Sequence, residues 1–300
     1  MTVKRVACLA GDGVGPELMA AATRALDRVS KLHQLELDDR HLPFGGEAVT
    51  RSGHPLPLAT RTGYREADAI LVASPHEPAL DGVKADLHLS WHVARVHGTP
   101  TRDLIVAGPV GSWANDTAIA RAFECAAARR GRILSVGESG DWRAAVERER
   151  ANWDGLVVEE AKLGETLVRL REKPDTVDVI VTEAHLLNAL VDAAAAFAGS
   201  HATVAHAWLP DEGPGVFAPG ASEPDDVAGF GVVDPMGMLF TTSLMLAEGL
   251  KSRSASRTLE RAVGAASRRT TRDTNSFTDA VIELLPQSRT DVEHFDQVSA

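Results

Sequence analysis

Gly11-Asp12-Gly13-Val14-Gly15-Pro16-Glu17 follows the apolar run 6–10 and opens a helical pattern carrying Leu18, Ala22 and Leu26. The order is therefore strand, glycine turn, helix. The glycines admit positive φ and close backbone approach, Pro16 suits the first helical position, and Glu17 complements the helix dipole in the first turn. Such a turn can hold a ligand against bare backbone, or it can simply reverse the chain. It is not the dinucleotide fingerprint: Pro16 interrupts the spacing that G-x-G-x-x-G requires.

Outward from this turn, apolar runs of strand length recur at 69–73, 104–107, 133–136 and 177–181, and helical patterns cover 16–31, 117–130, 142–152, 159–172, 185–197, 236–250 and 277–285. The alternation predicts an α/β fold with buried strands. At 300 residues the chain exceeds one ordinary core, so two lobes or one large unit with an insertion are expected. One further apolar segment lies near 204–209. The Gly/Pro-rich stretch 210–231 is too long for a mere connector and is expected to line a site.

The formal net charge of −11 is spread along the chain without a basic block. That argues against nucleic acid and against an anionic membrane, and favours a small-molecule ligand. Cys8 and Cys125 have neither metal-like nor disulfide-framework spacing and read as small hydrophobes in a reducing compartment. With no signal-type apolar region and no run of spanning length, a cytoplasmic location is expected.

Several ordered segments together resemble the family of β-decarboxylating dehydrogenases that includes isocitrate and 3-isopropylmalate dehydrogenases. After the glycine turn come Ala67-Asp68-Ala69-Ile70-Leu71, the helix 117–130 with Ile133-Leu134-Ser135-Val136, and Asp178-Val179-Ile180-Val181-Thr182-Glu183. Ala189-Leu190-Val191-Asp192-Ala193-Ala194, Ala198-Gly199-Ser200, Phe217-Ala218-Pro219, Asp226-Val227-Ala228-Gly229, Pro235 and Phe277-Thr278-Asp279-Ala280-Val281 complete the series. The resemblance implies an isopropylmalate-dehydrogenase-like two-lobed fold, a central sheet flanked by helices. Residues 1–98 and 199–300 would form a first, cofactor-binding lobe, and 99–198 a second lobe that dimerises, with the active site between the lobes. It further implies NAD or NADP, a divalent cation, a lysine, a tyrosine and arginines that clamp substrate carboxylates.

Much of that set is missing. Tyr64 is the only tyrosine and belongs to the first lobe, so Trp113 or nothing stands in the family position. Glu138 occupies the lysine position and reverses its charge; Lys162 is the candidate substitute, set against a solvated pairing with Glu159 and Glu165. Of the metal-binding pair, the first aspartate is Asn188 and the second is retained as Asp192. Their i, i+4 spacing puts them on one helical face, and the partner's contribution falls near Gly164 or Glu165. These could hold Mg²⁺ or Mn²⁺ only loosely, or be the polar face of an alanine-rich helix. The clamp positions read Ala94, with Arg95 one place off, and Ala107.

In their stead the sequence offers His88, His92 and His97, and His185 beside Asn188; a neutral imidazole can act as base. Polar cleft lining is the alternative. In the adenosine loop the family's histidine is Ala221, its ribose-binding aspartate is kept as Asp226, and its asparagine is Asp234. An acidic side chain accepts ribose hydroxyls and repels a 2′-phosphate, so NAD is favoured over NADP. The candidate catalytic residues are thus His92, Arg95, Lys162 and His185. The cofactor candidates are Gly11, Asp12, Gly13, Gly15, Glu17, Asp226 and Asp234, and the metal candidates Asn188, Asp192 and Glu165. The expected function is a divergent NAD-dependent oxidoreductase, working as a homodimer on a small hydroxy acid other than isocitrate or isopropylmalate. A catalytically silent, nucleotide-binding regulatory or structural subunit is the rival, and a lyase or isomerase reusing the cleft a third.

Overall fold

The computed structural model describes residues 3–74, 79–98, 103–111, 115–200, 203–220, 225–268, 273–288 and 291. The chain forms a mixed α/β protein of two compact units, Met1–Leu87 with Glu212–Ala300 and, between them in sequence, His88–Asp211.

Unit 1 begins with β1 (Lys4–Leu9), α1 (Gly15–Leu32), β2 (Leu37–His41), α2 (Gly46–Ser52), α3 (Leu58–Arg65), β3 (Ala69–Val72) and α4 (Ala79–Asp86). Unit 2 follows with β4 (Leu89–Val96), β5 (Leu104–Pro109), α5 (Asn115–Ala127), β6 (Arg132–Val136), α6 (Gly140–Arg150), β7 (Val157–Glu160), α7 (Leu163–Glu172), β8 (Val179–Thr182), α8 (Ala184–Ala198) and β9 (Val204–Pro210). The chain then returns to unit 1 as β10 (Gly215–Pro219), α9 (Met236–Leu244), α10 (Arg253–Ala266) and α11 (Thr274–Leu284).

In unit 1 the strand order is β2-β1-β3-β10, parallel throughout. Such strands are covered on both faces. β3 and β10 are accordingly buried at every position. α1 buries Leu18, Ala22, Ala25, Leu26 and Val29 on one stripe and packs on α9, α10 and α11.

In unit 2 the order is β9-β4-β5-β8-β6-β7, antiparallel across β9, β4 and β5 and parallel across β5, β8, β6 and β7. Leu186, Leu187, Leu190, Val191, Ala194 and Ala195 of α8 cover Ala94, Val106 and Ile180 of the sheet. The units divide at 87/88 and 211/212, where the sequence reading sets 98 and 198. The difference follows from β4 and β9, which pair along their length as one ladder and so lie wholly in unit 2.

Two expected elements change. The helix expected from 159 starts at Leu163, because 157–160 pair with β6 as an exposed edge strand. The helix expected over 236–250 ends as α-helix at Leu244 and continues as one π turn, Met245–Gly249. α10, not anticipated, buries Ala255, Leu259, Ala262, Val263 and Ala266, a stripe of mostly small residues that arginines and serines obscure in the sequence. Among the described residues no helix is long and apolar enough to cross a membrane.

Candidate functional site

The glycine turn is built as its sequence requires. Gly11 and Gly13 have φ of 72° and 58°, in the left-handed region that glycine tolerates. A Cβ on Gly15 would stand 1.9 Å from the Ala10 carbonyl oxygen, and one on Gly11 2.8 Å from Ser74 Cβ. Asp12 does not point at open space. Its carboxylate accepts from the backbone N–H groups of Gly46 and Glu47 at 2.5 and 3.2 Å, so it caps the N-terminus of α2, where a negative charge is favoured.

Glu17 joins this turn to the adenosine-loop segment. Its Oε2 accepts from the Gly231 N–H at 3.2 Å, while its Oε1 is buried without a donor among the described residues. Beside it a cavity of about 300 Å³ is lined by Glu17, Arg24, Gly229, Phe230, Gly231 and Asn275 among others. Asp226 is exposed in a short 3₁₀ turn, as a ribose-binding carboxylate must be. Asp234 Oδ1 accepts from Met236 N at 2.9 Å at the start of α9, a local cap. In unit 1 the residues that would hold the adenosine half of a dinucleotide are exposed Asp226 and the loop tethered by Glu17. Ala221 and Trp113 lie outside the described residues.

On unit 2, His185, Asn188 and Asp192 share the exposed face of α8, while the opposite face fills the core. Glu183, the residue before α8, accepts from Glu138 N at 2.7 Å and from the Ser139 hydroxyl. Burial works to raise its carboxyl pKa, but these hydrogen bonds and nearby His185 together hold it below the ordinary value. The loop after β6, carrying Glu138, is thereby fixed to the start of α8.

The remaining candidates are engaged elsewhere. Arg95 makes two hydrogen bonds to Asp103, at 3.2 and 3.1 Å, which also meets Arg129 at 3.4 Å; Arg129 in turn pairs with buried Asp178 at 2.8 Å. Burial opposes the charge on Asp103, yet Arg95 and Arg129 outweigh it and hold the carboxyl far below its usual range. His92 is buried on β4, its Nε2 2.9 Å from Nδ1 of His206 and its ring stacked on Trp208 at 4.7 Å. β4 places His92 within a strand, with His88 just before it. Ala94 and Ala107 are fully buried on β4 and β5, positions with no space for a guanidinium. Tyr64 is buried in unit 1 and donates to Asp86; burial and that carboxylate push its pKa up.

Lys162 precedes the first turn of α7 instead of lying within a helix. It is not paired with either expected glutamate: Glu159 binds Arg169 at 2.9 Å, and Glu165 accepts from the Lys162 backbone N–H at 3.1 Å. Glu165 is thus a helix-capping acceptor on α7, apart from the α8 face of Asn188 and Asp192. No group of three or more His, Cys, Asp or Glu able to hold a metal ion occurs among the described residues. One chain by itself does not fit a divalent cation.

Comparison with known proteins places this geometry. The family model described as isocitrate/isopropylmalate dehydrogenase matches residues 5–88 and 110–283. A 3-isopropylmalate dehydrogenase of Synechococcus sp. (strain CC9605) is 30% identical over 88% of this chain and 91% of its own. One from Bacillus thuringiensis subsp. konkukian (strain 97-27) is 28% identical over 95% and 97%. Among solved structures, isocitrate dehydrogenase from Methylococcus capsulatus superposes with a TM-score of 0.79 at 18% identity, covering 95% of this chain and all of that one. A β-decarboxylating dehydrogenase from Thermococcus kodakarensis gives 0.78 at 20% identity, covering 99% of both. The chain belongs to the isocitrate/isopropylmalate dehydrogenase family.

Proposed function

We propose that this family member is an NAD-dependent oxidoreductase whose substrate is a small hydroxy acid with fewer carboxylates than isocitrate or isopropylmalate. The observation that carries the reading is the fate of the carboxylate clamp. Ala94 and Ala107 are core positions, and the neighbouring guanidinium, Arg95, is held by Asp103. A desolvated carboxylate loses its bidentate charge-assisted partner at such a site, at a cost of several kcal/mol in recognition, and alanine offers no substitute.

NAD, when bound, supplies the hydride acceptor. Asp226 accepts the adenosine ribose hydroxyls and disfavours a 2′-phosphate. Glu17 keeps the loop at Gly231 against α1. On unit 2, exposed His185 is the base for the substrate hydroxyl proton, which its imidazole takes. His92, already bound to His206, orients its strand instead. Asn188 and Asp192 have no third carboxylate, histidine or cysteine ligand grouped with them among the described residues, and the reading assigns no step to Mg²⁺ or Mn²⁺. A homodimer in a cytoplasmic setting is the assembly this reading carries.

A second reading is favoured by Glu138, an acid where the family's proton-transferring lysine belongs: a silent subunit that binds nucleotide and does not turn over. The test is NADH formation across a panel of mono- and dicarboxylic 2-hydroxy acids. Turnover restricted to monocarboxylic substrates and abolished by His185→Ala supports the oxidoreductase. NAD binding without turnover of any panel member supports the silent subunit.

A further inference from the structure

We propose that His92 and His206 form a proton-linked catch between β4 and β9, closed while the two imidazoles hold at most one added proton between them and opened by a second. The two strands are the first and last of unit 2, apart from the nucleotide residues of unit 1. They run antiparallel with His92 opposite Trp208 and Ala94 opposite His206, so these four side chains share one face of the sheet. His92 Nε2 stands 2.9 Å from His206 Nδ1, and the rings of His92, His206 and Trp208 have centroids 5.1, 4.7 and 5.4 Å apart. The backbone ladder is irregular just beyond them, where the register shifts between Leu89 and Trp91. Side-chain contacts therefore carry more of the join at this end.

A hydrogen bond between two ring nitrogens needs one N–H and one lone pair. A neutral pair supplies both, and so does a pair holding one added proton, in which an imidazolium donates to a neutral ring. With two added protons each nitrogen carries hydrogen, the lone pair is gone, and two like charges face each other. His92 is 6% exposed, so its charge reaches water only if the strands part. The surroundings do not change this. On β5 the residue opposite His92 is Gly108. On β4 itself Arg95 and His97 alternate to the other face, where they meet Asp103 and the Thr203 carbonyl. Asp211, beyond the end of β9, accepts from Ser90 on the face of His92; it favours the first proton without freeing a nitrogen for the second. α8 covers the same face with apolar side chains. Glu183 before it accepts from Glu138 N and Ser139, and its His185 and Asp192 lie on the outer face. On α5, which also packs on β4, Asp116 pairs with Arg148 and Arg121 with Glu124. An opened segment takes both protons in the ordinary imidazole range, about pH 6.5, and the closed pair only one. Acid therefore favours opening, by about tenfold per pH unit below that range.

The test is histidine-ring NMR of the full chain between about pH 8 and about pH 5, with the two rings assigned from His92→Phe and His206→Phe, together with amide hydrogen exchange over the same range. The pair should titrate in two steps at least about tenfold apart in proton concentration. Amides at 91–93 and 207–209 should lose protection only with the second step, by about tenfold per pH unit once intrinsic exchange is corrected for. In the double variant His92→Phe/His206→Phe that acid dependence should vanish. Titration of both rings in a single ordinary step, or protection at those amides that does not fall with acid in wild type, would overturn the proposal. An undiminished acid dependence in the folded double variant would do the same. Should the double variant fail to fold, the wild-type titration and exchange decide by themselves.

Discussion

Asp103 sits between Arg95 and Arg129, and its folded carboxyl lies below its unfolded value. Its stabilisation is accordingly present above the unfolded pKa and fades as pH falls through the folded one. Asp103→Asn removes the carboxylate charge between two largely buried guanidinium groups, Arg129 keeping its pairing with Asp178. The expected loss is about 2–4 kcal/mol after allowing for partial exposure, read as a lower urea midpoint at pH 7 with the gap to wild type narrowing in acid. At the metal positions, Asn188 removes one formal charge from the set the family resemblance implies. Wild type should bind Mg²⁺ only at about millimolar or weaker affinity without substrate, and Asn188→Asp should tighten it. Micromolar binding by wild type in calorimetry would mean other ligands. Single residues were only half legible in the sequence. The losses at Glu138 and Asn188 are plain in the chain, but the engagement of Arg95 by Asp103, eight positions away and just before the adjoining strand, depends on the β4–β5 register.

The turn from β1 into α1 is the element on which unit 1 depends. Gly15→Ala would force a Cβ to within 1.9 Å of backbone oxygen, which no side-chain rotation relieves. The expected result is loss of soluble folded protein, or a melting temperature lowered by roughly 10 °C or more, as for changes costing over about 4 kcal/mol. Thermal scanning of the variant decides it. The joint between β6 and α8 responds to pH. The folded pKa of Glu183 is lowered, so its contribution is full above its unfolded value and is lost as pH falls through the folded one. Glu183→Gln should remove that acid dependence and lower stability near neutrality by about 1 kcal/mol or less at this exposed position, which urea unfolding at several pH values measures. Buried strands and long amphipathic helices are legible here because burial leaves a continuous or periodic apolar trace. β2 (LDDRH) and β7 (VVEE) are not, since edge strands exposed to solvent carry polar residues. Glutamates in the second of these also read as helix formers.

At the scale of the molecule, the ordered motifs made family and α/β class readable because each motif marks a strand end or helix start that the fold needs. The missing chemistry was readable for the same reason: Ala94, Ala107 and Glu138 stand in recognisable frames. D-isocitrate and 3-isopropylmalate are therefore expected not to be oxidised, and steady NADH production from either would refute the substrate assignment. What the retained frame does claim is the nucleotide, through exposed Asp226 and the loop that Glu17 holds at Gly231. The most direct measurement is calorimetric titration of wild type and Asp226→Ala with NAD and with NADP. NAD should bind wild type at least about tenfold more tightly than NADP, with the preference lost in the variant; equal affinities in wild type, or no binding of NAD, would contradict the account.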